Sequence, residues 1–231
     1  MKTLFLIPAR RGSKGIVKKN VRIIAGKPLV IHSLILARRF ADDNDICIST
    51  DDPEVIKSSE KEGYHIPFIR PEELANDTAG MYEVMLHALD FYAQQGVQYN
   101  RLVLLQPTSP FRLPEHVQNA LDLYNQDLDM VVSVVQTDAN PYFVLFEENL
   151  DGMLVKSKTG VFASRQECPK VWELNGAVYV INVTSLRERK ITEFTRIRKM
   201  EMDKLHSVDL DTELDWKLAS LINEEQGILP L

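Results

Sequence analysis

The chain has 231 residues, of which 45% are hydrophobic, and its formal net charge is -6 at neutral pH. This length and apolar content suffice to bury the core of one large domain without disulfide staples. The acidic balance, the presence of only two cysteines, and the lack of any apolar run near ~20 residues argue against a nucleic-acid-binding surface, a disulfide framework and a membrane span.

Strand and helix patterns alternate along the first part of the chain. The apolar run Leu4–Ile7 predicts a strand, and residues 28–40 predict a helix with Pro28 in its first turn. Asp45–Ser49 predicts a second strand. A polar helix is expected from Asp51 to Gly63, followed by a third strand at His65–Ile69.

The middle of the chain continues the alternation. Met81–Gln95 predicts a helix that Gly96 stops, and Pro114–Gln126 predicts a helix between the apolar strands Leu102–Leu105 and Met130–Val135. These strands do not alternate between apolar and polar residues, which indicates that both faces of the sheet are covered. We therefore expect a three-layer α/β fold, with a mostly parallel sheet and helices on both faces.

The alternation of strand and helix patterns stops between residues 138 and 173, where short β-like segments surround a polar turn. We interpret this segment as an insertion in a single domain that spans residues 1–231. An inserted arm of this length commonly reaches a neighbouring subunit, so a homodimer is expected. Strands at Ala177–Ile181 and Arg196–Met202 and a helix at Thr212–Asn223 follow. The face of this helix that is expected to turn inward carries Leu214, Leu218, Leu221 and Ile222.

Residues 10–22 contain six cations and no acid, directly after the first apolar strand. The rest of the chain carries a net charge of -12, because the six cations lie in this one loop. Gly12 and Gly15 allow a tight turn that brings backbone N–H groups close to an anion. A compact basic loop suits a small polyphosphate, although solubilising surface charge is the simpler alternative. The sequence contains neither a P-loop nor a dinucleotide-binding motif.

Other polar residues follow the predicted strands at the edge where ligands bind in doubly wound sheets. Asp51 and Asp52 follow the second strand, Arg70 the third, and residues 106–112 the fourth. In the last of these segments, a glutamine and proline-flanked hydroxyls form a rim that could bind a polyhydroxylated ligand. The alternative is an ordinary turn.

Two late segments add further chemistry. Asp209 and Asp211 are two residues apart, so both carboxylates point the same way in extended chain and suit Mg²⁺. Capping of the last helix is the alternative. Arg165 lies at the edge of the insertion and could capture a carboxylate or form a surface ion pair. It is grouped with Gln166, Asn175, Gly176 and Tyr179.

Taken together, these segments resemble the acylneuraminate cytidylyltransferases, which make CMP-activated sialic acids and related nine-carbon acids. The resemblance runs the length of the chain and depends on several motifs in the same order. They are Ile7–Gly15 with Lys19-Asn20, Ser49–Asp51, Arg70–Thr78, Leu105–Pro110, Arg165-Gln166, Asn175–Tyr179 and Asp209–Glu213.

The resemblance implies a Rossmann-like nucleotidyltransferase fold, and a reaction in which the acid's anomeric hydroxyl attacks the α-phosphate of CTP and pyrophosphate leaves. It also implies roles for individual residues. CTP would be bound by Arg10, Gly12, Ser13, Lys14, Lys19, Asn20 and Arg70. The sugar acid would be bound by Gln106, Thr108, Ser109, Arg165, Gln166, Asn175 and Tyr179. Mg²⁺ would be held by Asp209 and Asp211, and these two aspartates, with Arg10 and Lys19, would form the catalytic set.

The chain departs from the family pattern on the sugar side. Sialic-acid members often carry His-Pro followed by a lysine where this chain has Asn140–Phe143. They also often carry an arginine shortly before the Asn-Gly, where this chain has Glu173. The resemblance therefore indicates CMP transfer to a nonulosonic acid without identifying the acid. The alternatives are transfer to an eight-carbon ketodeoxy acid and a non-catalytic nucleotide-binding regulator. We expect a cytoplasmic protein that binds neither membrane nor nucleic acid.

Overall fold

The computed structural model describes residues 1–12, 15–76, 80–227 and 229. The strands are β1 (Thr3–Pro8), β2 (Ile23–Ile24), β3 (Lys27–Pro28), β4 (Ile46–Ser49), β5 (Arg101–Leu104), β6 (Met130–Gln136), β7 (Phe146–Glu148), β8 (Leu154–Lys156), β9 (Trp172–Asn182) and β10 (Ile197–Glu201). The helices are α1 (Leu29–Ala37), α2 (Pro53–Lys61), α3 (Met81–Gln94), α4 (Pro114–Leu123), α5 (Val183–Glu188) and α6 (Glu213–Gln226). Within the described part of the chain, no helix has the length and apolar character needed to cross a bilayer.

Six strands form the central sheet in the order β10-β6-β9-β5-β1-β4. The pairs β1–β4, β1–β5 and β6–β10 are parallel, whereas β9 runs antiparallel to both of its neighbours. The sheet is therefore mostly parallel, as expected. Because β9 is reversed, its first residues lie at the same edge as the carboxyl ends of the other five strands.

Helices cover both faces of the sheet. Phe5 and Ile7 of β1 point into a core that includes apolar residues of α1, α2 and α4. Leu4 and Leu6 of the same strand point into a second core with α3 and α5. This division between alternate residues of one strand explains why the strands are continuously apolar, and it confirms the three-layer fold.

A third apolar cluster joins the two ends of the chain. Ile16, from the loop after β1, and Leu210, from the segment before α6, are both fully buried in it, together with Trp216 of α6. Burial of each side chain contributes roughly 1.5–3 kcal/mol. The cluster therefore fixes the early basic loop against the late acidic segment.

The strand predicted at His65–Ile69 is wrong. This segment forms no strand, and its one sheet-like contact is an isolated bridge between Thr50 and Ile69. Pro67 at its centre has no N–H to donate to a ladder, which accounts for the irregular path.

The orientation predicted for the last helix is also wrong in most respects. Leu214, Leu218 and Leu221 are exposed, at 74%, 46% and 51% of their surface. Trp216 and Ala219 are buried instead, and Ile222 packs against them. Apolar residues occupy two sides of this helix, and the large indole is on the side that turns inward.

Smaller differences concern the ends of elements. Helix α4 stops at Leu123 rather than at Gln126, and Pro28 pairs in β3 and precedes α1 rather than lying in its first turn. Between β6 and β9, strands β7 and β8 pair with each other in a separate two-stranded sheet.

Candidate active site

The carboxyl ends of the parallel strands position the polar residues singled out in the sequence. The loop after β1, the segment after β5 and the segment after β10 meet at this edge of the sheet. Two cavities lie there. We call the one next to the basic loop the loop cavity and the one next to the insertion the insertion cavity.

The loop cavity has a volume of about 470 Å³, within the range of small-molecule sites. Its lining combines residues from the beginning, the middle and the end of the chain. They are Pro8, Arg10, Gly15, Lys19, Asn20, Arg70, Met81, Gln106, Pro107, Thr108, Asp209 and Asp211. The N-terminal basic loop and the late aspartates therefore share one cavity.

The alternation at residues 209–211 explains how both carboxylates reach this cavity. Leu210 is fully buried in the third cluster, and its backbone N–H donates to the Thr108 carbonyl at 2.8 Å. Asp209 and Asp211 lie on either side of this anchored residue, so in near-extended chain they point away from it. Both line the loop cavity.

Gly15 lies in close backbone contact with the late segment. A Cβ atom built at Gly15 would lie 1.9 Å from the carbonyl oxygen of Asp211. Only a residue without a side chain fits here, because the obstacle is backbone rather than a movable side chain.

Lys19 connects the same segments through its side chain. Its Nζ donates to the Leu210 carbonyl at 2.6 Å and to Oδ1 of Asp211 at 3.1 Å. Lys19 is buried, whereas the Asp211 side chain is 72% exposed. The lysine therefore places a positive charge in the cavity and orients one of the two carboxylates.

Of the other proposed nucleotide-binding residues, Arg10, Asn20 and Arg70 line the loop cavity, whereas Gly12 does not. The Asn20 amide donates to the Arg10 carbonyl at 3.0 Å, and the Arg70 guanidinium donates to the carbonyl and hydroxyl oxygens of Ser49 at 2.6 and 3.0 Å. Burial lowers the pKa of Arg70 to about 10, so it stays cationic at neutral pH. Gly12 has a φ of +79°, as a tight turn requires. Ser13 and Lys14 lie outside the described residues.

Two further cations of the basic loop pair with acids outside it. Lys18 pairs with Glu54 of α2, and Arg22 pairs with Glu213 of α6 while lying over the Trp216 ring. These pairs are on the surface, where ion pairs are worth ~0–1 kcal/mol. The loop's charge is thus divided between cavity residues and surface contacts that a charge count does not distinguish.

Asp209 lines both cavities. Its carboxylate is 3.4 Å from the Ser109 hydroxyl and bonds the Thr108 side chain. Desolvation raises the pKa of Asp209, and the negative charge of Asp211 adds to this effect. A cation bound between these carboxylates would relieve both effects.

The insertion cavity has a volume of about 670 Å³ and adjoins the loop cavity at Gln106 and Asp209, which line both. Tyr179 and Asn175 of β9 also line it. Burial raises the pKa of the Tyr179 phenol, so it remains a neutral hydrogen-bonding group at neutral pH.

Asn175 acts mainly as a structural residue. Its Oδ1 accepts from the Ser133 hydroxyl at 2.6 Å and from the Ala177 N–H at 3.2 Å, and its Nδ2 donates to Ser207 at 2.9 Å. The Ser109 hydroxyl lies 3.1 Å from its carbonyl oxygen. These contacts hold the start of β9 against the segment after β5.

Arg165 and Gln166 are exposed in a short 3₁₀ turn and line neither cavity. The hydrogen bond and charge of Lys204 lower the pKa of Asp138, which lines the insertion cavity, and the positive charge of Arg165 adds a smaller effect in the same direction. The role of Arg165 and Gln166 in binding the sugar acid stays a prediction.

Sequence patterns do not single out Arg112, which the structure buries beneath the site. Its guanidinium donates to the carbonyls of Gln106 and Ser109 at 2.6 and 2.5 Å and to the Ser33 hydroxyl. Burial lowers its pKa to about 9. Arg112 therefore fixes the turn that carries Gln106 and Thr108. Its place at the end of the 106–112 run is the only signal in the sequence.

Within residues 1–12, 15–76, 80–227 and 229, no three His, Cys, Asp or Glu side chains gather into a metal-binding group. The pair Asp209 and Asp211 still fits Mg²⁺, which takes one or two protein carboxylates and completes its shell with water and substrate phosphates. Thr212 accepts from the Asp215 N–H at 3.3 Å and caps α6, so capping involves the next residue and leaves both carboxylates in the cavity.

Comparisons with known proteins identify relatives of this chain. The chain is 31% identical to a CMP-N,N'-diacetyllegionaminic acid synthase from Legionella pneumophila, over 97% of both chains. It is 33% identical to post-translational flagellin modification protein B from Campylobacter coli, over 97% of this chain and 96% of that protein. An N-acylneuraminate cytidylyltransferase from Streptococcus agalactiae is 31% identical over 94% of this chain, which spans 52% of that protein.

The fold is also found in a solved CMP:2-keto-3-deoxy-manno-octonic acid synthetase complexed with CTP. The TM-score is 0.70 at 19% sequence identity, and the match covers 97% of this chain and 100% of that one. A family model described as cytidylyltransferase matches residues 4–227. The chain therefore belongs to the cytidylyltransferase family.

Proposed function

We propose that this protein transfers CMP from CTP to the anomeric hydroxyl of a nonulosonic acid and releases pyrophosphate. The observation that carries the proposal is the junction of two cavities at Asp209 and Gln106. One cavity is lined by cations and suits a nucleoside triphosphate. The other is lined by hydrogen-bonding groups and suits a polyhydroxylated acid, so the reacting atoms of both substrates would meet at the junction.

In the loop cavity, Arg10 and Lys19 would neutralise the triphosphate, and Asn20 and Arg70 would help to place the cytidine. Preorganised cations stabilise charge that develops as pyrophosphate departs, without reorganising during the reaction. The Lys19 ammonium is already held by two protein oxygens, so it is oriented before substrate binds. Gly12, Ser13 and Lys14 complete the set assigned to CTP.

Asp209 and Asp211 would hold Mg²⁺ beside the phosphates. When bound, the ion would neutralise phosphate charge and help to orient the triphosphate. The chain's own contribution is the spacing of the two carboxylates around Leu210, the tether from Lys19, and the hydrogen bonds that Thr108 and Ser109 make to Asp209.

In the insertion cavity, Gln106 and Tyr179 would bind hydroxyl and acyl groups of the acid, with Asn175 and Ser109 keeping this wall in place. Thr108, which lines the adjoining loop cavity, would reach the acid from that side. Arg165 and Gln166 would act at the cavity mouth. Holding the attacking hydroxyl in line with the α-phosphate and the leaving pyrophosphate is itself a large part of such catalysis.

The relatives that carry the names of legionaminic and N-acylneuraminic acid enzymes support a nine-carbon acid as acceptor. The experiment is to measure pyrophosphate release from MgCTP with a panel that contains N-acetylneuraminic acid, N,N'-diacetyllegionaminic acid and an eight-carbon ketodeoxy acid. Release with a nonulosonic acid is expected. Release with the eight-carbon acid alone would reassign the acceptor, and CTP binding without release would indicate a nucleotide-binding regulator.

We further infer a single domain over residues 1–231, in which residues 138–173 form an arm that pairs two subunits. Large apolar side chains of the arm are exposed, including Phe146, Leu154 and Val155 on its two strands. Contiguous exposed apolar surface marks association sites. Sedimentation equilibrium at micromolar concentration should give twice the 26.4 kDa chain mass, and a strict monomer would contradict the dimer.

The proposed location is the cytoplasm, with no nucleic-acid or membrane partner. Cys47 and Cys168 are both free thiols, which suits a reducing compartment. Fractionation of cells that produce the protein would test this location, and recovery with an extracellular or membrane fraction would contradict it.

A further inference from the structure

The insertion cavity is lined by many more acids than bases. Four carboxylates line it, from Asp138, Glu173, Asp209 and Asp215, and Lys204 is the one cation in its lining within the described residues. An anionic acceptor entering this cavity would be repelled by the carboxylates. Its own carboxylate therefore needs Lys204 or a cation that reaches in from outside the lining.

Lys204 already binds a carboxylate. Its Nζ donates to Oδ2 of Asp138 in an ion pair at the cavity wall. Asp138 follows β6 and Lys204 follows β10, and these strands are parallel neighbours paired at Val134 and Glu201. The pair thus bridges two strand ends at the edge where the substrates would meet.

Another carboxylate can replace that of Asp138 on the Lys204 ammonium at a small cost in free energy. The Lys204 and Asp138 side chains are 68% and 69% exposed, so water screens their attraction. Exposed pairs of this kind change an equilibrium by at most about fivefold. A substrate carboxylate with further contacts in the cavity can replace the Asp138 carboxylate on the same ammonium.

We propose that Lys204 binds the carboxylate of the acceptor acid, and that Asp138 occupies this ammonium until the acid displaces it. The inference rests on the proposed function, because it concerns the acceptor of that reaction. Arg165, whose charge also acts on Asp138, would assist at the mouth of the cavity.

The test compares Lys204→Met, which keeps the apolar stem, with Asp138→Asn and with the control Lys57→Met. Lys57 is exposed on α2 and lines neither cavity. Steady-state rates are measured at saturating MgCTP with varied concentrations of an acid that gives product. Lys204→Met should raise the KM for the acid roughly 10- to 100-fold, the range for a hydrogen bond between charged groups, and leave the KM for CTP unchanged. Asp138→Asn should lower the KM for the acid, by at most about fivefold.

An analogue with its carboxylic acid converted to the primary amide provides a second readout. The wild-type protein should prefer the acid to the amide, and Lys204→Met should lose most of this preference. A purely structural lysine would instead change the melting temperature or the KM for CTP. Lys57→Met should behave as wild type in every assay.

A wild-type KM for the acid in Lys204→Met would overturn the inference, as would a rise of that KM in Asp138→Asn. These results differ from failure of the proposed function itself, in which the wild-type protein gives no product with any acid and both proposals fall.

Discussion

Replacement of Gly15 by alanine tests the contact between the two ends of the chain. The added Cβ would lie 1.9 Å from the Asp211 carbonyl oxygen, whereas ordinary contacts begin at 3.4 Å. The two segments must therefore separate by about 1.5 Å, the difference between these distances. Neither segment can relax freely, because Ile16 and Leu210 next to the contact are fully buried.

A displacement of this size acts directly on the proposed metal and phosphate ligands. Misplacing reacting groups by about 1 Å can lower rates about 100-fold, which corresponds to roughly 2.7 kcal/mol of activation free energy. We expect Gly15→Ala to lower kcat/KM for CTP by about this factor. The assay is continuous pyrophosphate release at saturating acid, with CTP affinity measured separately by calorimetry.

Gly63→Ala is the matched control. Gly63 has a φ of +72°, so alanine adds backbone strain of roughly 1–2 kcal/mol, but no atom lies within 4 Å of the new Cβ. Gly63 lines neither cavity. The control should unfold at a lower denaturant concentration yet retain its kcat/KM. If Gly15→Ala kept wild-type kcat/KM and CTP affinity, the reasoning about the shared site would be refuted.

Four further results are expected. Asp211→Asn should lower turnover by about 100-fold or more with little change in the unfolding midpoint, and a wild-type rate at saturating Mg²⁺ would contradict a metal role. Lys19→Met should raise the CTP dissociation constant about tenfold or more, because it removes a positioned cation from the cavity, and an unchanged constant in calorimetry would exclude that assignment. Arg112→Met should lower the free energy of unfolding in urea by about 3 kcal/mol, since it removes the guanidinium donors to the Ser109 carbonyl and the Ser33 hydroxyl and one of two donors to the Gln106 carbonyl. A loss below about 1 kcal/mol would contradict this role. Desolvation raises the pKa of Asp209, so its carboxyl resonance in the metal-free protein should titrate above the ordinary 3.8. The free energy of unfolding should therefore fall as the pH rises from 3.8 through that pKa. A titration midpoint at or below 3.8 would refute the assigned environment.

The strands of the sheet could be predicted because each is a continuous apolar run that is visible in the sequence alone. Continuous apolar runs such as Leu4–Ile7 report burial on both faces, and the structure divides their alternate residues between two cores. The strand expected at His65–Ile69 shows the limit of this signal. Its apolar content resembles a strand. Whether such a segment joins the sheet depends on hydrogen bonds with a neighbouring strand, and Pro67 has no N–H to donate to one.

The last helix could be located but not oriented. Its cap at Thr212 is a local signal, and the helix begins at the next residue. Its inward face depends on which apolar side the third cluster accommodates, and Trp216 is favoured over Leu214 and Leu218 through contacts with residues nearly 200 positions earlier, such as Ile16. Long-range packing of this kind leaves no periodic trace in the helix itself.

For the candidate site, residue types were predictable and partners were not. The spacing of Asp209 and Asp211 indicated a shared direction, and the buried Leu210 between them is the reason. The charge count of the basic loop did not reveal that Lys18 pairs with Glu54 on the surface. Lys204 belongs to none of the motifs recognised in the sequence, and only the pairing of β6 with β10 brings it to the cavity.

The most direct test of the central claim is to locate the ligands. Crystals grown with CTP and Mn²⁺ as a substitute for Mg²⁺ should show one anomalous peak bound to the Asp209 and Asp211 carboxylates, with the triphosphate in contact with the metal and with Lys19. A metal or triphosphate bound elsewhere would contradict the account, for example in the separate cavity of about 720 Å³ that Lys2, Arg38 and Arg101 help to line.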